Sequence, residues 1–260
     1  MACPVTQPPE SRPPENEPRE AGRRRAEIAA NLAAVRARID AACALAGRAA
    51  SEITLIAVTK TFPASDIELL DQLGVRDVGE NRDQEATAKV AELTTRWGEP
   101  ARERLRWHFI GGLQTNKCAS VVGYADVVHS VDRSRLVDAL SAAASRAGRT
   151  PRCLVQVSLD DAPASGRAGV CEADAVALAD AIARAPGLAL AGVMGVAPLG
   201  GDPARAFARL ARAAERVRAE HPDASVVSAG MSGDLEAAIM NGATHLRVGA
   251  ALLGSRRDAG

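Results

Sequence analysis

Apolar residues recur along this chain at two alternating periods, and the alternation predicts its architecture. From about residue 24, Ile28, Leu32, Val35 and Ile39 fall at helical spacing, and Leu45 followed by Gly47 marks the end of one long amphipathic helix over 24–46. Apolar runs of strand length then occur at 53–59, 76–79, 106–111, 126–131, 152–159, 188–197, 225–230 and 244–249. Between them lie segments with helical spacing, such as Ile67-Leu70-Leu73, Leu136-Leu140, Val176-Leu178-Ile182 and Phe207-Leu210-Val217. Strands alternating with helices pair in parallel, and eight such repeats close a (β/α)8 barrel of the TIM type. An open doubly wound sheet fits less well, because its first strand leads into G-x-G-x-x-G, whereas here the first run ends in Thr59-Lys60-Thr61.

Composition narrows the picture. Residues 1–20 are rich in Pro, Glu and Arg and read as a disordered tail, leaving residues 21–257 as a single barrel domain that includes the N-terminal helix. Acidic and basic residues balance at 32 each, so no global field attracts nucleic acid or an anionic membrane surface. The Arg23-Arg24-Arg25 run is flanked by Glu20 and Glu27 and reads as a solvated helix start. No apolar stretch reaches membrane-spanning length and no signal-peptide core is visible, so the expected location is the cytoplasm. The five cysteines are scattered without metal-binding spacing and read as reduced thiols, and no metal site is expected.

Candidate chemistry sits at two strand ends. Lys60 closes the first run in a chain with only three lysines against a background of arginine. A lysine partly buried at a strand end can lose its proton and attack a carbonyl, which an arginine cannot do. After the seventh run, Ser228-Ala229-Gly230-Met231-Ser232-Gly233 opens a helix with small residues, suiting backbone N–H groups to a phosphate. Arg247 and Gly249 share one face of the eighth run, which ends in Ala250. A carbonyl-reactive lysine facing a phosphate cup describes a site for pyridoxal 5'-phosphate (PLP), and a phosphosugar aldolase also fits.

Ile56-Ala57-Val58-Thr59-Lys60-Thr61, Gly79-Glu80-Asn81, Trp107-His108-Phe109-Ile110-Gly111, Leu113-Gln114-Thr115-Asn116-Lys117 and Gly230-Met231-Ser232 running on to Arg247-Val248-Gly249 resemble, in order, the pyridoxal phosphate homeostasis proteins of the YggS or PROSC type. The resemblance covers nearly all of residues 25–257. It implies the barrel of alanine racemase without its second domain, with Lys60 as the Schiff-base lysine. Ser228, Ser232, Gly233, Gly249 and Ala250 would surround the phosphate, Arg247 would meet the pyridine nitrogen, and Asn81 would lie beside the ring. Ala250 stands where a hydroxyl residue is frequent, Arg82 where tyrosine is, and Gly112 where proline is.

An arginine at the pyridine nitrogen stays protonated, leaves the ring unprotonated and weakens it as an electron sink. A racemase also needs two opposed bases. His108 reads as a hydrogen-bonded core histidine, and Tyr124 falls in a connection away from strand ends. The expectation is therefore a PLP-binding monomer that buffers or delivers the cofactor to PLP-dependent apoenzymes, with no catalytic residues of its own. The alternative is a PLP-dependent amino-acid racemase. Lys89 and Lys117 are candidates for a second transfer site, with Lys117 read first as a solvated helix-start residue.

Overall fold

The computed structural model describes residues 17–98, 104–160 and 168–254. Its centre is a closed barrel of eight parallel strands in chain order. The strands are β1 (Thr54–Val58), β2 (Asp77–Glu80), β3 (Arg106–Phe109), β4 (Val127–Val131), β5 (Arg152–Gln156), β6 (Ala189–Met194), β7 (Val226–Ser228) and β8 (His245–Val248). Each falls within the apolar run that predicts it, apart from one residue at the end of β2. Closure brings β8 beside β1, with Ile56 paired to Arg247 and Ala57 to Val248.

The described helices are α1 (Glu17–Leu45), α2 (Ala64–Gln72), α3 (Asp83–Trp97), α4 (Cys118–Tyr124), α5 (Ser134–Ala147), α6 (Ala175–Arg184), α7 (Pro203–Glu220), α8 (Leu235–Met240) and α9 (Ala250–Leu253). None is long and apolar enough to cross a membrane. The predicted stripes face the barrel: Ile67 and Leu70 of α2, Leu136 and Leu140 of α5, and Phe207, Leu210 and Val217 of α7 are all buried. This outer layer of apolar contacts forms one continuous core, while Val127, Leu154, Ala191, Met194 and Val226 make a second, smaller cluster.

Helix α1 starts earlier than predicted, so residues 17–20 belong to it and not to a tail; the rest of the predicted tail, residues 1–16, lies outside the described residues. Its stripe of Ile28, Leu32, Val35 and Ile39 is buried as part of the continuous core. Arg24 is not a solvated helix-start residue. It makes a 2.6 Å ion pair with the buried Asp66 and donates to the Leu253 carbonyl, while Asn31 donates to Leu252 O. These bonds satisfy carbonyls that the last turn of α9 leaves without intrahelical partners. Helix α1 thus braces the short helix that follows β8, at the end of the barrel where strand termini gather.

Candidate functional site at the C-terminal mouth of the barrel

Inward-facing residues alternate along β1, and the period carries Ile56 and Val58 on to Lys60. Lys60 is exposed and lies two residues beyond the end of β1, whereas the sequence suggests a partly buried lysine at the strand end. The strand ends at Val58, Thr59 N–H bonds Gly79 O at 3.0 Å, and the chain turns as Phe62 N–H bonds back to Thr59 O at 3.1 Å. The Lys60 ammonium has no hydrogen-bond or ion-pair partner among the described residues. Thr61 beside it has φ 69°, a left-handed conformation that a β-branched residue rarely adopts and that marks strain held by its surroundings.

What holds that strain is a buried clamp. Lys89 Nζ donates to Thr59 O at 2.7 Å, Glu80 Oε1 at 2.7 Å and Glu85 Oε1 at 2.6 Å. Thr59 Oγ1 also donates to Glu80 Oε1 at 2.7 Å, and Glu85 accepts the Thr61 N–H. The backbone on both sides of Lys60 is therefore tied to one ion cluster. Burial pushes the Glu80 carboxyl above its ordinary value, against the pull of Lys89. With three acceptors and only 8% side-chain exposure, Lys89 is committed to this clamp, which argues against a transfer role. Lys117 is 40% exposed and lies 3.7 Å from Asp83, consistent with the helix-start reading.

Lys60 opens onto a cavity of about 350 Å³, within the range of small-molecule sites, lined also by Val58, Asn81, Arg82, Gly249 and Ala250. The Asn81 amide has no partner among the described residues. Its backbone is packed so closely that a Cβ on Gly111 would lie 2.1 Å from Asn81 O, so only glycine fits there. A Cβ on Gly249 would come within 3.4 Å of Val58 on the neighbouring strand.

The loop after β7 reaches the same end of the barrel. Ser232 Oγ accepts the Ala251 N–H at 3.2 Å, joining the glycine-rich loop to the first turn of α9. Met231 N–H is spent on the Asp234 carboxylate at 2.6 Å. The N–H groups of Ser232 and Gly233 have no partner among the described residues, and that of Ala250, at the head of α9, has no intrahelical acceptor. Ser228 departs from the expected set. It lies on the inward face of β7, where its hydroxyl meets His129 Nδ1 at 3.0 Å and Arg247 Nη1 at 2.6 Å, so its side chain belongs to the barrel interior and not to the cup.

Arg247 is 5% exposed and donates to Ser228 and, through Nη2, to Gly195 O at 2.9 Å just beyond β6. No carboxylate pairs with it among the described residues. Burial lowers its pKa to about 10, which still leaves it a cation at neutral pH. His108 is a core histidine, as expected, with its Nδ1 2.8 Å from His129 Nε2 and its Nε2 2.9 Å from Asp77 Oδ1. Tyr124 ends α4 in the outer layer, edge-on to Trp107, and burial raises its pKa. Asp77, Glu85 and His129 were not singled out from sequence, and Glu80 appeared only within the Gly79-Glu80-Asn81 motif. For Asp77 and His129, the period of two along β2 and β4 was the available signal.

Residues 28–257 match the family model described as "Alanine racemase, N-terminal domain". A pyridoxal phosphate homeostasis protein of Mycobacterium tuberculosis is 44% identical over 244 residues, covering 90% of this chain and 95% of its own. The Escherichia coli (strain K12) protein of the same description is 36% identical over 233 residues, covering 88% and 97%. The solved structure of PipY from Synechococcus elongatus PCC7942 with PLP bound superposes with a TM-score of 0.73 at 34% identity, covering 87% of this chain and 100% of PipY. A chain that matches such relatives over about nine-tenths of its length belongs to the alanine racemase N-terminal domain family and, within it, to the pyridoxal phosphate homeostasis proteins.

Proposed function

We propose that this chain is a cytoplasmic, monomeric carrier of PLP, holding it as a Schiff base on Lys60 for buffering or for delivery to PLP-dependent apoenzymes. The observation that carries the proposal is that, among the described residues, the turn after β1 presents an accessible lysine without a partner while the adjacent strand β8 carries a buried arginine without a carboxylate. PLP supplies an aldehyde, which condenses with an amine and releases water, together with a ring nitrogen that accepts a hydrogen bond and a phosphate that accepts several. The residues present suit each of these groups. Lys60 offers the amine, Arg247 the donor for the nitrogen, and Asn81 an uncharged donor beside the ring. The N–H groups of Ser232, Gly233 and Ala250, with the open backbone at Gly249, suit the phosphate.

Carriage without turnover is supported by the placement of the two candidate bases, neither of which is free at the mouth among the described residues. Both ring nitrogens of His108 are committed inside the barrel, and the Tyr124 hydroxyl is buried in the outer layer. An arginine at the ring nitrogen donates a bond but does not hand over its proton, which disfavours carbanion chemistry.

The test is a visible spectrum of the protein mixed with PLP, followed by borohydride reduction and peptide mapping. A yellow adduct mapping to Lys60, absent in Lys60→Ala, is expected. A protein that takes up no PLP, or one modified mainly at Lys89 or Lys117, refutes the site. Rapid loss of optical rotation from single amino-acid enantiomers would establish the racemase reading instead.

A further inference from the structure

Five inward-facing side chains from five strands form one continuous hydrogen-bonded line through the barrel. Asp77 Oδ1 of β2 lies 2.9 Å from His108 Nε2 of β3, and His108 Nδ1 lies 2.8 Å from His129 Nε2 of β4. His129 Nδ1 lies 3.0 Å from Ser228 Oγ of β7, which accepts from Arg247 Nη1 of β8 at 2.6 Å. Asp77 also borders a second cavity of about 420 Å³, lined in part by Ile53, Thr54, Val75 and Arg76, which precede β1 and β2 or begin β1. The line therefore runs from near the N-terminal end of the barrel to the arginine near its C-terminal mouth.

The donors in this line can be assigned. Burial pushes the Asp77 carboxyl up, but the His108 hydrogen bond, with the Arg106 charge and hydrogen bond, outweighs it and leaves it ionised. An ionised carboxylate only accepts, so His108 carries its proton on Nε2. His108 is kept neutral by burial, against the pull of Asp77, so its Nδ1 accepts from His129 Nε2–H. His129 is neutral by burial, reinforced by His108, Arg247 and His245, so its Nδ1 accepts the Ser228 hydroxyl proton. Ser228 then presents lone pairs alone to Arg247. In the reverse order Ser228 would accept from both His129 and Arg247, and its own proton would have no acceptor among the described residues. Only the forward order satisfies every group, and buried polar groups left unsatisfied are costly.

We propose that Asp77, His108 and His129 are positioning residues for Arg247, fixing through Ser228 which guanidinium N–H groups are spent in the barrel and which remain for a ligand at the mouth. A guanidinium has five N–H donors, and Ser228 Oγ and Gly195 O take two of them. The polarity of the chain ensures that Ser228 never competes with Arg247 as a donor. This inference rests on the proposed function only in what the remaining donors face.

Long-range ¹H–¹⁵N spectra test it directly, because the chain has four histidines and their tautomers give distinct patterns. His108 and His129 should both be neutral Nε2–H tautomers between pH 7 and 8, without PLP. The groups facing them are Asp77, Arg106, Asp126 and His245 around His108, with Arg247 and His245 around His129. An Nδ1–H tautomer or a cation at either position overturns the assignment. Asp77→Ala, which touches neither Arg247 nor the mouth, should mix the tautomers, shift the absorption maximum of the PLP-bound protein and weaken PLP retention by on the order of 10-fold, as for outer groups that orient a metal ligand. Asp77→Asn, whose amide oxygen still accepts from His108, should restore both. An Asp77→Ala protein with unchanged spectrum and retention overturns the positioning role, and one that does not fold leaves the wild-type tautomers and Asp77→Asn to decide it. Failure of the wild type to bind PLP would sink the proposed function but leave the tautomer result standing.

Discussion

Replacing Lys89 by Met, close in length but without charge, should both destabilise the protein and loosen the Lys60 turn. The side chain is 8% exposed, its partner Glu80 is 0% exposed, and Glu85 is 24% exposed. Removing the cation leaves the Glu80 carboxylate buried beside a second carboxylate and strips Thr59 O of its donor. Breaking a buried pair in this way costs about 3–5 kcal/mol. For a chain of this size that corresponds to a melting temperature lower by roughly 6–20 °C. The pH dependence has a definite sign. Glu80 already sits above its ordinary 4.5 because of burial, and losing Lys89 removes the main opposing influence. A carboxyl raised in the folded state contributes stability that is full below its unfolded value and lost as pH rises through the folded one. The deficit of Lys89→Met should therefore be larger at pH 8 than at pH 5, and Glu80→Gln added to it should recover part of the loss. Calorimetry checks the first claim, and the rate of PLP adduct formation at Lys60 checks the second. A melting temperature within about 2 °C of wild type would refute the buried-pair reasoning. A destabilised variant whose Lys60 reacts at the normal rate would refute the link from clamp to turn.

Three further outcomes follow from the same geometry. Gly111→Ala should displace Asn81 and weaken PLP retention, whereas Gly112→Ala, with nothing within 4 Å of a new Cβ, should bind normally; equal binding by both would contradict the close approach. Burial, with His108 adding to it, pulls His245 from 6.5 down to about 4, so its unfolded form takes up a proton first as pH falls. Stability present above pH 6.5 should therefore drain away toward pH 4, by about 3 kcal/mol for this residue, and His245→Gln should flatten the melting-temperature profile over that interval. Of the described cysteines, Cys171 is exposed while Cys153 is buried with its thiol pushed up to about 12. Thiol labelling with peptide mapping should mark Cys171 quickly, and comparable labelling of Cys153 in the native protein would be inconsistent with this packing.

Much of this was readable from the chain itself. The switch between periods of two and 3.6 is a local property, and it located the strands, the N-terminal helix and the helices carrying Leu70, Leu140, Ile182 and Leu210, because each element must bury one face regardless of its partners. It also found Lys60 at the end of the first strand and Arg247 on the last. It did not foresee that Lys60 stands exposed in a strained turn, because that depends on a clamp assembled from Thr59, Glu80, Glu85 and Lys89 across β1, β2 and α3. Nor did it separate Ser232, which ties the glycine-rich loop to α9, from Ser228, which turns inward to Arg247 and His129.

The sequence alone thus determined the order and kind of the elements, the barrel they form and the residue types at its mouth, since these follow from patterns repeated over a few neighbouring residues. Only the tertiary structure decided which side chains meet. Asp77, His108, His129, Ser228 and Arg247 lie on five different strands, and their contacts depend on closure, which seats β8 against β1, and on strand register. Register is a relation between distant segments, so a local pattern can say that a residue faces inward but not what it will find there.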